Sequence, residues 1–129
     1  MGIDREIVSA AGAPPAIGPY SHAVRAGGLL FCSGQIPLDP ATGEIAGDGS
    51  AEQARRCLEN LVAVCTAAGA SLAHAVRMTV YMTDLGAFAE VNEVYSSFFG
   101  EDPPARVAVE VSALPRGAQV EIDAIVAVS

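Results

Sequence analysis

Apolar and polar residues alternate along this chain in two rhythms, and the places where the rhythm changes mark out its elements. Val76, Met78, Val80 and Met82 alternate with Arg77, Thr79, Tyr81 and Thr83, the two-residue period of a strand with one apolar face. Near the end of the chain Val120, Ile122, Ala124 and Val126 share one face of a second such strand, and Glu121 and Asp123 share the other. Earlier the period lengthens. Ala54, Cys57, Leu58, Leu61, Cys65 and Ala68 recur at three- and four-residue steps, behind Ser50-Ala51-Glu52-Gln53, which matches a capping box, and ahead of Gly69. This predicts an amphipathic helix of about five turns. A second helix is expected after Asp84 as its cap. Its apolar stripe is Phe88, Val91, Tyr95 and Phe98, and Gly100 with the pair Pro103-Pro104 closes it.

Turn chemistry supplies the remaining boundaries. After an extended start, Ser21 to Arg25 and Leu29 to Ser33 flank Gly27-Gly28, which predicts a hairpin with a tight turn. The stretch Pro37 to Glu44 is dense in turn residues and is expected to be a loop. Strands from Arg106 to Ser112 and from Gln119 to Val128 finish the chain, joined through Leu114-Pro115-Arg116-Gly117. Their short connection predicts that they pair antiparallel. The order β-β-α-β-α-β-β describes an α/β (α+β) fold in which a mixed sheet carries two helices on one face. Residues 1–129 form one domain by length. Two helices leave the other sheet face uncovered, and 51% hydrophobic residues is a high share for a chain this short. A second copy of the same sheet is the simplest cover, so a homo-oligomer is predicted.

Charge and cysteine usage narrow the function classes. Fifteen acidic residues against seven basic ones give a net charge of -8, which repels phosphate backbones, so nucleic acid is not an expected partner. Three scattered cysteines and two histidines show neither a disulfide framework nor zinc-ligand spacing. Cys57 and Cys65 sit roughly 12 Å apart along one helix, too far to bond each other. No stretch reaches the roughly 20 apolar residues of a membrane span, and no secretion signal is read at the start. A cytoplasmic protein with reduced thiols and no metal is expected. Cys32 lies in the apolar run Leu29-Leu30-Phe31 and reads as core packing. His22 and His74 read as packing or surface residues.

Among so few cations, Arg106 is the residue to explain. It opens a β-branched run directly after a proline pair, and its planar fork suits a carboxylate. Arg106, Ala108 and Glu110 share a face of their strand, and antiparallel pairing with the last strand would make Arg106 a neighbour of Glu121 and Asp123. From the residues alone that neighbourhood reads either as a structural ion pair at a solvated edge or as a site.

Four segments read together add a resemblance. Ala16-Ile17-Gly18-Pro19-Tyr20-Ser21-His22-Ala23-Val24, Ser33-Gly34-Gln35-Ile36-Pro37-Leu38-Asp39-Pro40-Ala41-Thr42-Gly43-Glu44, Pro104-Ala105-Arg106-Val107-Ala108-Val109-Glu110-Val111 and Val120-Glu121-Ile122-Asp123-Ala124-Ile125 resemble, in order, the motifs of the RidA/YjgF family. These are the reactive intermediate deaminases, also called 2-iminobutanoate/2-iminopropanoate deaminases and formerly grouped under an endoribonuclease name. The resemblance runs from about Ala13 to Val128. It implies a chorismate-mutase-like fold assembled as a homotrimer, with ligand clefts between subunits and no cofactor.

The resemblance also implies roles. Arg106 would grip the carboxylate of a small 2-imino acid, assisted by the Gly34 backbone N–H beside Ser33. Glu121 would hold the attacking water, and Tyr20 would close the pocket. Asn92, in Val91-Asn92-x-x-Tyr95, resembles a residue near the cleft. Ala108 stands where family members tested as deaminases often carry cysteine, which leaves the substrate side chain open. Two other functions compete with imine hydrolysis: a non-catalytic module that binds 2-oxo acids or similar small carboxylates, and the ribonuclease activity of the older name. The latter is opposed by the net charge and by the lack of a histidine pair for acid/base work.

Overall fold

The computed structural model describes residues 2–129. One six-stranded sheet carries two helices on one face. The strands are β1 (Glu6–Val8), β2 (Ala23–Ala26), β3 (Leu29–Gln35), β4 (Ala75–Met82), β5 (Ala105–Glu110) and β6 (Val120–Ala127). The helices are α1 (Ser50–Ala67) and α2 (Phe88–Ser96). The order across the sheet is β1-β2-β3-β6-β4-β5, and β4–β5 is its one parallel pair among the described residues.

The predicted hairpin forms with Ala26 opposite Leu29. Gly27 and Gly28 take φ of 57° and 78°, the left-handed conformation that a two-residue turn of this hand demands. The chain start, expected only to be extended, contributes the short strand β1. In β6 the alternation is complete: Val120, Ile122, Ala124 and Val126 are buried beneath α1, and Glu121 and Asp123 face the other way. Together with Leu30, Met78, Val80, Met82, Leu58, Leu61 and Val91 they form the main core between the sheet and the helices, and Ile36, Leu38 and Ala118 form a smaller second cluster.

Four expectations need correction. The strand that opens at Arg106 does not pair with β6; it lies parallel to β4 at the sheet edge, with Met78 opposite Arg106. Helix α2 between β4 and β5 makes this a β-α-β crossover, and the short link to β6 instead carries the chain back across to the seat between β3 and β4. The capping box does not form. Gly49 occupies the cap of α1, the Ser50 hydroxyl donates to Gln119 Oε1 (2.9 Å), and Gln53 Oε1 accepts from the Gln119 N–H (2.8 Å). These polar residues serve a tertiary tie to the start of β6 instead of the helix end. Asp84 caps a 3-10 turn, Leu85–Ala87, and not α2 itself. Val76 is 44% exposed, because a bulge at this position sets Ala75 opposite Val126 and Arg77 opposite Ile125. One extra residue turns that side chain out of the buried face.

The C-terminal end of α1 follows its signal. Gly69 (φ 70°) lets the Ala70 N–H return to the Cys65 carbonyl and its own N–H reach Thr66, a Schellman closure. His22 ties the chain start down. Its Nδ1 accepts from the Ala10 N–H (2.8 Å), so Nε2 carries the proton and donates to the Pro14 carbonyl (2.8 Å), all within a buried site. Asn60, fully buried on α1, donates to the Leu38 carbonyl (3.0 Å) and fixes the loop that follows β3.

Replacing His22 by Ala strands a buried donor and a buried acceptor, and the expected loss is about 2–4 kcal/mol. Urea unfolding at fixed protein concentration measures it. His22→Gln, which keeps one donor and one acceptor, should recover part of the loss.

Candidate active site

The register between β3 and β6 slips after Cys32–Ala124 and resumes at Gln35–Ile122, so Ser33 and Gly34 together face a single β6 residue. Such a bulge bends the strand and re-aims its backbone. Ser33 is held in place from the β2 side. Its N–H donates to the His22 carbonyl (3.0 Å) and its hydroxyl to the Ser21 carbonyl (2.6 Å). Gly34 lies against Glu121 so closely that a Cβ built there would fall on the carboxylate, with Glu121 Cδ at 3.1 Å and Cγ at 3.3 Å. Glycine at this point admits the close approach of the Glu121 carboxylate, and its backbone angle plays no part.

Ser33, Gly34 and Glu121 form one wall of a cleft of about 300 Å³, completed by Ile17, Tyr20, Ile36 and Pro115. The Tyr20 hydroxyl accepts from the Ile17 N–H (3.3 Å), so the two residues form one flap over the opening. Burial, and then the neighbouring Asp123 charge, hold the Glu121 carboxyl above the ordinary carboxylate range. No Arg, Lys or His forms an ion pair with Glu121 among the described residues. A half-buried carboxylate of raised basicity in an apolar cleft is equipped to accept a proton from water.

Arg106 stands elsewhere. Its guanidinium lies over the rings of Tyr95 (4.8 Å to the centroid) and Phe88 (5.2 Å), and Nη1 donates to Asn92 Oδ1 (2.7 Å). Phe88, Asn92 and Tyr95 occupy one face of α2 at positions i, i+4 and i+7, so the helix forms a platform that presents the fork. Arg106 is exposed and makes no ion pair among the described residues. Tyr95 is buried, its hydroxyl has no partner among the described residues, and burial pushes its phenol upward against the opposing effect of Arg106. Ala108, on the same side of β5, is half-buried and packs on the core.

The structure thus brings Tyr20, Ser33, Gly34 and Glu121 together, and Arg106 with Asn92, but it does not join the two groups within one chain. Arg106 sits opposite Met78 on the helix side of the sheet, whereas Glu121 sits opposite Tyr81 on the open side. With β4 between their strands, the two backbones are also roughly 10 Å apart across the sheet. The neighbourhood of Arg106 and Glu121 expected from adjacent strands is therefore overturned. Ile17, Ile36 and Pro115 in the cleft, and the Phe88–Tyr95 platform, were not singled out as site residues. The platform was visible as an aromatic stripe carrying Asn92 on the same face; the cleft residues sit in loops with no periodic signal.

Other candidates fall away. Hydrogen bonding with the Cys65 thiol, and burial, push the Cys32 thiol well above its ordinary range, so it is no nucleophile. Both ring nitrogens of His22 are engaged by backbone. A larger hollow of about 600 Å³ lies beyond Tyr20 between Ile7, Ala10, Pro15 and His22, and His22 is its one titratable side chain besides Tyr20. Among the described residues there is no group of three or more His, Cys, Asp or Glu placed to hold a metal, and no helix long and apolar enough to cross a membrane.

The chain is similar to known proteins over almost its whole length. The profile of the family described as Endoribonuclease L-PSP matches residues 10–128. A RutC family protein, y4sK, from Sinorhizobium fredii is 52% identical over 124 residues, 96% of this chain and 98% of that one. A 2-iminobutanoate/2-iminopropanoate deaminase from Mus musculus is 44% identical over 123 residues, 95% of this chain and 91% of its own. The crystal structure of E. coli TdcF with bound serine superposes with a TM-score of 0.90 at 45% identity, covering 96% of this chain and 99% of TdcF.

Gly34→Ala should force the Glu121 side chain aside and cost about 1–3 kcal/mol by overpacking. In a double-mutant cycle, Glu121→Ala should remove most of that cost, so that the two changes couple strongly in unfolding free energy. Simple additivity would mean that the two residues do not press on each other.

Proposed function

The chain belongs to the Endoribonuclease L-PSP family, the RidA/YjgF proteins, and from that premise we propose that it hydrolyses reactive 2-imino acids to 2-oxo acids and ammonia. The observation that carries this reading is the Glu121 carboxylate, half-buried in an apolar cleft and in no ion pair among the described residues. In the reaction, Glu121 orients a water and takes its proton as the oxygen adds to the C=N carbon. Glu121 returns that proton to the nitrogen, giving a carbinolamine; its hydroxyl then loses a proton as C=O forms, the C–N bond breaks, and the nitrogen, now carrying both water protons, leaves as ammonia. The imine is already electrophilic, so the step needs no electron sink and no metal. Tyr20 closes the pocket with its hydroxyl end, and the Gly34 backbone lies beside the reacting group. The Arg106 fork, held by Asn92 and the aromatic platform, is free to bind the substrate carboxylate bidentately.

This chemistry requires two copies. The open sheet face exposes Phe31, Val107 and Val109, apolar area that a second copy would cover. We place the complete site between subunits of a cytoplasmic homotrimer. One chain supplies Arg106 and Asn92, with Ala108 alongside, and the next supplies Tyr20, Ser33, Gly34 and Glu121. Three free, buried cysteines accord with a reducing compartment.

A second reading, a regulatory module that binds small carboxylates, draws on the serine bound to TdcF and on the same Arg106 fork. Ribonuclease activity has less behind it: net charge is -8 and His22 is wholly engaged by backbone.

With imines generated in situ by an amino-acid oxidase, Arg106→Ala should lower kcat/KM by roughly thirty-fold or more, the loss of a desolvated carboxylate contact worth about 2–5 kcal/mol. Full turnover in that variant would refute the assignment. Tight 2-oxo acid binding by wild type without any imine turnover would favour the regulatory module.

Arg106→Ala and Glu121→Gln, each strongly impaired alone, should complement each other when refolded together at equal amounts. In a closed ring of randomly mixed chains about a quarter of the sites regain both groups. No recovery on mixing would place both residues in one chain's site.

A further inference from the structure

Glu121 does not stand alone on the open face. Asp123 follows it two residues along the same side of β6, roughly 7 Å on along a strand. Tyr81, on β4, is the cross-strand partner of Glu121, yet its side chain leans along the diagonal, and its hydroxyl donates to Asp123 Oδ2 (3.1 Å). Neither carboxylate is ion-paired among the described residues. The phenol thus holds a second negative charge at a set distance from Glu121 without neutralising it. A free aspartate at a strand surface would rotate toward water, where its effect on a neighbour is screened.

We infer that Asp123, fixed by the Tyr81 hydroxyl, is a positioning residue: it holds a negative charge beside Glu121 on the same strand face and so makes Glu121 a better acceptor toward the attacking water. This rests on the base role given to Glu121 above. Other groups facing Glu121 are few. Tyr20 lines the same cleft, Cys57 lies behind it on α1 and is held protonated by burial, and Ser33 and Gly34 of β3 do not titrate. Arg77 lines the hollow beside Asp123 but makes no ion pair with it. In the proposed assembly, Arg106 of the adjacent copy would add a cation.

The direction of the pH effect follows. Burial, then Asp123, raise the Glu121 carboxyl, so Glu121 ionises at higher pH than it otherwise would. Removing the Asp123 charge should let it ionise at lower pH. The test pairs kcat/KM against pH with the carboxyl carbon resonance of Glu121 in ¹³C-glutamate-labelled protein, assigned through Glu121→Gln. In Asp123→Asn the acid limb should move to lower pH, and the Glu121 resonance should titrate lower with it. Asp123→Glu, which keeps the charge, should stay near wild type. Tyr81→Phe, which removes one hydroxyl and preserves the ring, should move both readouts the same way by less, and it serves if Asp123→Asn does not fold. A role for Asp123 in folding alone would reduce the rate at every pH without moving the limb. An unmoved Glu121 titration in Asp123→Asn, or in Tyr81→Phe if only that variant folds, would overturn the inference. A titration that moves while the limb stays put would uphold the coupling and remove Glu121 from the base role, which separates the two failures.

Discussion

The seat of β6 between β3 and β4 is the constraint on which the rest of the molecule depends. Val120, Ile122, Ala124 and Val126 must lie beneath α1 to complete the core, and the strand's period of two then drives Glu121 and Asp123 to the opposite face. Burial on one side thereby creates the chemistry on the other. A slip of one residue would bury both carboxylates under the helix and expose four apolar side chains. The bulge at Ser33-Gly34 and the ties from Ser50 and Gln53 to Gln119 guard against that slip at the end of β6 that carries Glu121.

Arg106 solves a different problem. A guanidinium on an edge strand would ordinarily sample many rotamers, and ordering it on binding would weaken the complex. Here α2 spends three positions of one face, Phe88, Asn92 and Tyr95, on stacking and orienting that single side chain. A cation over an aromatic face contributes about 0.5–2 kcal/mol, with the larger values where water is excluded. The cation is therefore presented nearly preorganised, and most of its donors remain open for a ligand.

What could be read without coordinates was whatever depends on local pattern. The hairpin follows from Gly27-Gly28, α1 from its three- and four-residue steps, and the exposure of Glu121 and Asp123 from alternation alone. Arg106 stood out because cations are scarce. The partner of β5 could not be read, since sheet order is decided by pairings between distant segments, and a short link between two strands does not force them to be neighbours. Ser50 and Gln53 misled for a related reason: their side chains found better partners on β6 than on their own helix. The bulge that turns Val76 outward leaves no mark in a run of perfect alternation.

The edge formed by β5 has a consequence for how copies of this chain can meet. It is six residues long, carries charges at Arg106 and Glu110, and begins directly after Pro103-Pro104, which cannot donate ladder hydrogen bonds. The opposite edge, β1, is only three residues. Short, charged and proline-guarded edges discourage the strand-to-strand addition by which sheets grow into fibres. The trimer proposed above would therefore form through the broad side of the sheet, where contact would end in a closed particle and not in an open-ended stack.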